Sequence, residues 1–184
     1  MSNYIETEQV SFQDFRKQVL DDYRLGRISR EASYLTRKEV LTGKAKFGIV
    51  GDGKELPQLA MAKVFREGDW RSGYYRDQTF AMAVGVLSVD AFFAQLSADT
   101  DVEREPASAG RQMPCHFATR SLNEDGSWKD LTQIKNISSD ISPTAGQMPR
   151  LLGLALASNV YKEVKFQGSE KFSHNGQEVA FGTI

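Results

Sequence analysis

Gln133 to Ile184 reads QIKNISSDISPTAGQMPRLLGLALASNVYKEVKFQGSEKFSHNGQEVAFGTI, and the fold class turns on this stretch. Gln133 to Ser139 is short and β-branched enough for a strand. A loop with Pro143 follows. Met148, Leu151, Leu152, Ala155 and Leu156 then recur at helical spacing, the apolar stripe of a helix running to about Lys162, with Pro149 tolerated in its first turn. After a polar turn around His174, Asn175 and Gly176, Val179 to Ile184 reads as a buried strand. Strand, helix and strand in that order make a βαβ unit, which predicts a parallel sheet with a right-handed crossover and an α/β fold class. Ligands of such sheets sit beyond the carboxyl ends of the strands.

Upstream the chain reads as helical. Ser11 with Asp14 marks a helix start, and Phe12, Phe15, Val19 and Tyr23 follow at helical spacing to about Arg24. Gly26 is expected to end that helix, and Ser29 to cap a second one with Tyr34, Leu35 and Leu41 inward, closed by Thr42, Gly43 and Lys44. Two short helices around a Leu-Gly-Arg turn would suit a DNA-binding helix-turn-helix, but nothing else in the chain is basic enough to support one. Leu56 to Arg66 is a third amphipathic helix, broken by Glu67, Gly68 and Asp69 before an aromatic loop, DWRSGYYRDQ. A fourth helix is expected from Thr79 to about Ala98, apolar on nearly every face and therefore central. Its apolar core, Phe80 to Leu96, is too short and too interrupted to cross a bilayer. The segment DTDVEREPASAGRQ, Asp99 to Gln112, reads as a solvated loop, and Asn123 to Gly126 as a turn.

The 23 basic and 24 acidic residues of the 184 leave a formal charge of -1, so no overall field draws nucleic acid or an anionic membrane, and any anion site must be local. One cysteine excludes an intrachain disulfide, and two histidines leave too few ligands for the usual zinc clusters. With no basic stretch followed by an apolar run at the N-terminus, a reducing cytoplasm is the expected location.

Four motifs carry the candidate chemistry. Gly51-Asp52-Gly53 invites a phosphate or metal reading, yet it lacks the context of a nucleotide loop and reads better as a tight turn entering the next helix. Cys115 and His116 are neighbours in an extended segment, where side chains point to opposite sides, so a thiol nucleophile with its own base is not expected. His116 by itself follows the loop Gly110-Arg111-Gln112-Met113-Pro114 and is the better candidate, while His174 reads as a surface residue. Tyr74-Tyr75-Arg76 is the strongest anion candidate, because a guanidinium donates paired hydrogen bonds to phosphate oxygens and a phenol donates another. Ser142-Pro143 precedes a helix start, where free N–H groups favour an anion or a polar ligand edge.

The joint order of GDGKE, YYRDQ, GRQMPCH, ISPTAGQMP and a strand ending FGTI resembles the alpha part of the thiamine-diphosphate-dependent, decarboxylating component of 2-oxo acid dehydrogenase complexes, nearest to the branched-chain (2-oxoisovalerate) and pyruvate members. The likeness runs from about Gly26 to Ile184. It implies a helical N-terminal segment, 1–45, followed by the N-terminal part of a three-layer αβα thiamine-diphosphate-binding fold, 46–184. The resemblance implies that Tyr75 and Arg76 hold the cofactor diphosphate, that Ser142 and Thr144 in the SP loop offer backbone contacts to the aminopyrimidine, and that His116 lies near the active-site channel. None of these is the family's acid-base catalyst. Branched-chain members also bind a monovalent cation around the SP loop through a threonine where this chain has Gly146, with Gln147 kept. The family's magnesium motif begins just after a strand like Val179 to Ile184, and its activating glutamate comes from a beta part. The resemblance therefore implies a truncated, N-terminal fragment of an enzyme that oxidatively decarboxylates a 2-oxo acid and passes the acyl unit to a lipoyl group. Its expected cofactors are thiamine diphosphate and magnesium, and its expected partners a beta part, separate or fused, and the lipoyl acyltransferase component. No nucleic acid or membrane partner is expected, apolar surface is expected to lie bare, and the chain is expected to oligomerise. The competing reading is a self-contained phosphate- or anion-binding module built on Tyr75, Arg76 and the helix after Ser142, without catalysis.

Overall fold

The computed structural model of the protein describes residues 10–172 and 180–182. The N-terminal residues 1–9, the expected polar turn with His174, and the ends of the last expected strand lie outside the described residues. Helix α1, Phe12–Leu41, is one continuous helix of 30 residues whose Ser11 hydroxyl accepts from the Asp14 N–H, as the sequence predicts. Gly26 does not end it. This glycine lies where α1 packs on the next helix: a β-carbon there would stand at ordinary contact distance, 3.5 Å from Leu59 and 3.8 Å from Glu55. That packing outweighs the roughly 1 kcal/mol by which glycine disfavours a helix interior. Ser29 is accordingly no cap. It is buried in mid-helix, with its hydroxyl 2.6 Å from that of Thr79. The arrangement that would have suggested a helix-turn-helix is absent.

Helix α2, Glu55–Ala62, is shorter than the predicted Leu56 to Arg66 because the chain tightens through Lys63 to Phe65 and turns Phe65 into the core, edge-on to Phe80 at 5.1 Å. The expected aromatic loop begins as a strand, β1, Trp70–Ser72. The single fourth helix divides into α3, Gln78–Ala83, and α4, Val89–Leu96. Gly85 at φ +82° reverses the chain between them, and Ser88 caps α4 by accepting from the Ala91 N–H. Phe80, Ala81, Met82 and Phe92 still meet in one core, so the central burial predicted for this region holds although the helix does not.

Strand β2 is confined to Asn136–Ile137, helix α5 spans Gln147–Glu163, and β3 covers Ala180–Gly182. Both β2 and β3 run parallel to β1, giving the order β2-β1-β3, with Trp70 opposite Asn136 on one side and Ala180 on the other. The α/β class read from strand, helix and strand is borne out, with β1 inserted between the two strands of that unit. Helix α5 packs on β1 and β3. Its inward face is the half-buried row Leu151, Leu154, Ala157 and Tyr161, whereas Met148, Leu152 and Leu156 of the predicted stripe are exposed. The Asn123–Gly126 turn is present, closed by the Asn123 N–H on the Ser127 carbonyl. Among the described residues no helix is long and apolar enough to cross a membrane.

The segment expected as a solvated loop is instead a tight turn around a buried carboxylate. Glu105, 1% exposed, accepts from the N–H groups of Ala107, Ser108 and Gly110 and from the Ser108 hydroxyl. Burying a carboxylate is tolerable only when its lone pairs are satisfied in this way.

Candidate functional site

The parallel ladder fixes where β1 ends, and the chain leaves it through Gly73 into Tyr74, Tyr75 and Arg76. On the neighbouring edge, the chain after β2 passes Asp140 into the Ser142 to Gly146 turn that starts α5. The segment Cys115–Phe117 lies between them. These three pieces, far apart in sequence, are tied by Arg71 of β1, which is wholly buried. Its guanidinium donates to Asp77 at 2.6 Å and to Asp140 at 3.1 Å, and also to the Tyr74 carbonyl at 3.0 Å. Asp77 in turn accepts from the Tyr74 N–H, and Asp140 from the Phe117 N–H. Burial pushes the Asp140 carboxyl above its ordinary value, against the pull of Arg71 and the Phe117 N–H. Burial works against the Arg71 charge as well, but Asp140 and Asp77 more than offset it.

Glycines allow this close fit. A β-carbon at Gly73 would stand 1.9 Å from the Arg71 guanidinium carbon, and one at Gly51 2.0 Å from the Arg76 carbonyl oxygen. Gly51-Asp52-Gly53 is thus a tight turn before α2, closed by the Lys54 N–H on the Gly51 carbonyl, and it backs the Tyr74–Arg76 loop. Gln78 joins the same support, accepting from the Gly51 N–H while its amide donates to the Ser29 carbonyl and the Ser33 hydroxyl.

On this frame the five candidate residues form one connected group. The Tyr74 hydroxyl donates to that of Tyr75 at 2.6 Å and lies 3.5 Å from the Thr144 hydroxyl. The Tyr75 ring stacks at 6.2 Å on the His116 ring, and the Arg76 guanidinium lies 5.7 Å from the Tyr75 ring centre. His116 Nε2 is 2.9 Å from the Ser142 hydroxyl, and Nδ1 is 3.2 Å from the Pro114 carbonyl. A carbonyl only accepts, so in the neutral ring Nδ1 carries the proton and Ser142 donates to Nε2. Hydrogen bonds with Thr144 and then Tyr75 pull the Tyr74 phenol below its usual range. With Thr144 donating to Tyr74 and Tyr74 to Tyr75, the Tyr75 proton is left for an outside acceptor.

Arg76 donates to the Val50 carbonyl and borders a cleft of about 260 Å³ with Arg37 and Asp52, which pair with each other. A larger cavity of about 570 Å³ lies elsewhere and contains none of the five residues. Cys115 is buried with its thiol pushed up to about 12, chiefly by burial, so it carries no nucleophile, as expected. Gln95 holds this segment by accepting from the Cys115 N–H and donating to the His116 carbonyl.

The donors left open suit an anion: the Tyr75 phenol and the Arg76 guanidinium, with the Ser142 and Thr144 hydroxyls turned to His116 and Tyr74 and the adjacent carboxylates Asp77 and Asp140 already engaged by Arg71. A thiamine diphosphate fits that chemistry at its diphosphate. Among the described residues no three histidine, cysteine or carboxylate groups gather as a metal site. At Gly146 a β-carbon would lie 2.5 Å from the terminal methyl of Ile141 and 3.1 Å from the Pro143 carbonyl, so a threonine there requires the Ile141 side chain to shift.

No family model matches the chain. It is similar to 2-oxoisovalerate dehydrogenase subunit alpha of Bacillus subtilis, 29% identical over 151 residues, a match covering 80% of this chain. The chain spans about 40% of the length of that relative. The likeness read from a few short motifs therefore extends over most of the sequence.

Proposed function

We propose that this chain supplies the cofactor diphosphate and pyrimidine contacts of a thiamine-diphosphate-dependent 2-oxo acid dehydrogenase, as part of its alpha component. The observation that carries the reading is the meeting of Tyr75, Arg76, His116, Ser142 and Thr144 in one group held by buried Arg71. The likeness to the bacillar alpha subunit supports it. Tyr75 and Arg76 donate to the diphosphate, the Ser142–Thr144 turn faces the aminopyrimidine, and His116, with Nδ1 protonated, stands at the channel. The cofactor, when bound, supplies the decarboxylation chemistry; these residues bind and orient it. In this reading a beta part completes the site, a lipoyl acyltransferase accepts the acyl unit, magnesium accompanies the diphosphate through ligands other than these residues, and the protein works in the cytoplasm. The exposed apolar row Met148, Leu152, Leu156 and Val160 on α5 favours such assembly over a self-contained anion module.

The test is a titration of the 184-residue chain with inorganic diphosphate and with thiamine diphosphate plus magnesium, followed by amide NMR. Expected are weak, saturable shifts centred on Tyr75 and Arg76 that Arg76→Gln abolishes. Shifts centred elsewhere refute the site. Tight binding of phosphate with no preference for the thiamine compound would favour the stand-alone module instead.

A further inference from the structure

The 570 Å³ cavity shares no lining residue with the group around Tyr75. It opens between the α3–α4 connection, the Glu105 turn, the segment after His116 and the approach to β2. Its apolar surface comes from Val84, Val86, Leu87, Ala91, Phe117 and Ile134. The charged groups around that surface are unbalanced. Glu105 is consumed by its own turn, and Arg120 donates through Nε to the Pro106 carbonyl. Lys129 and Lys135, both only half-exposed, have ammonium groups with no hydrogen-bond or ion-pair partner among the described residues. Glu67 alone is left to oppose them, and it is exposed and forms no ion pair with either among the described residues.

We infer that this cleft binds a small organic anion with an apolar body, such as a medium-chain carboxylate, its charge between Lys129 and Lys135 and its body against Val86, Leu87 and Phe117. Three observations point the same way. The volume lies within the usual range of small-molecule sites, about 300–1,000 Å³. The wall is preformed, since Glu105 fixes one side and Gln95 and the Phe117 N–H fix another. Two ammonium groups on partly buried lysines, without partners among the described residues, form charge-assisted hydrogen bonds most favourably with an anion.

The experiment titrates the chain with octanoate, with octanol as a neutral analogue and acetate as an anion lacking the body, following methyl NMR signals. Octanoate is expected to saturate with shifts at Val84, Val86, Leu87 and Ile134. Both analogues, and octanoate with the Lys129→Gln/Lys135→Gln variant, are expected to bind about tenfold or more weakly, the loss of charge-assisted contacts. Ala118→Trp, which fills the cleft from its wall, is expected to abolish the shifts, whereas Arg76→Gln leaves them unchanged. Equal binding of octanol and octanoate, wild-type affinity in the double lysine variant, or shifts centred on Tyr75 or on exposed α5 would overturn the assignment.

Discussion

Replacing Arg71 by methionine tests the frame of the site directly. The side chain is 0% exposed and is shared by Asp77 and Asp140, so its removal leaves two carboxylates in the interior without their cation. Removing one partner of a buried pair costs about 3–5 kcal/mol. Set against a typical domain stability of about 5–15 kcal/mol, that is a large fraction. With a urea slope of about 1–3 kcal/mol per molar, the midpoint is expected to fall by roughly 1–5 M at an unchanged slope. The fluorescence of Trp70, which neighbours Arg71 in β1, reports the transition. The pH dependence supplies a second handle. Asp140 in the folded protein already sits above its ordinary value of 3.8 because it is buried, so above that pH the folded state holds more proton than the unfolded chain. Stability from this source is present at low pH and is lost as pH rises through the folded value. Without Arg71 the same imbalance deepens, so the deficit of the variant is largest at pH 7.5 and narrows toward pH 5. A deficit under about 1 kcal/mol at pH 7.5, well below the buried-pair range, or one that grows on acidification over that interval, would refute the argument.

Three further outcomes follow from the same packing. Gly51→Ala and Gly73→Ala force a β-carbon against the Arg76 carbonyl and the clamped Arg71 guanidinium, and each is expected to destabilise by about 1–3 kcal/mol in thermal or urea melts, where Gly53→Ala, with open space around it, acts only through its positive φ. Gln78→Leu removes the acceptor of the Gly51 N–H, whereas the Ser29 carbonyl keeps the Ser33 hydroxyl, and a loss of about 1–3 kcal/mol is expected for the one unsatisfied group, with protection of the Gly51 amide from hydrogen exchange falling in parallel. Cys115 is expected to resist iodoacetamide at pH 8 in the native chain and to react once urea unfolds it; native labelling at the rate of free cysteine would contradict a buried thiol raised to about 12.

What the sequence made legible was chemistry carried by short, contiguous runs. YYRDQ, GRQMPCH and ISPTAG each announce themselves, and their residues do converge. Turns were legible for the same reason, since Gly53 and Gly126 at positive φ act locally. What escaped was everything decided across distance. Strand β1 is three residues long with a charged centre, and no alternation marks it. Arg71 looks like a surface residue until Asp140, 69 positions later, is placed against it. Gly26 carries a genuine local stop signal, overruled by the packing of α1 on α2. The α5 stripe was misjudged because the helix is apolar on two faces, and periodicity cannot say which one meets the sheet.

The buried ion cluster also bears on the proposed anion site. Asp77 and Asp140 are needed structurally, because they terminate the N–H groups of Tyr74 and Phe117 where the chain leaves regular structure. Two free carboxylates directly behind Tyr75 would repel a diphosphate, and in a poorly screened interior that repulsion reaches farther than it does in water. Arg71 offsets one of the two charges and spreads its guanidinium over both, and the cationic Arg76, partly buried, stands over the Tyr75 ring without having to neutralise them. A buried arginine fork is a costly way to add stability, since apolar replacements of a whole pair are often neutral or better. Its advantage lies in geometry: one planar group with five donors fixes the β1 exit, the His116 segment and the approach to α5 relative to one another. Lysine at position 71 would keep the charge and lose that fork. Arg71→Lys is therefore expected to retain most of the stability that Arg71→Met loses, while broadening or shifting the NMR signals of Tyr75, His116 and Thr144; unchanged signals in the lysine variant would show that charge alone, and not the fork, sets the site.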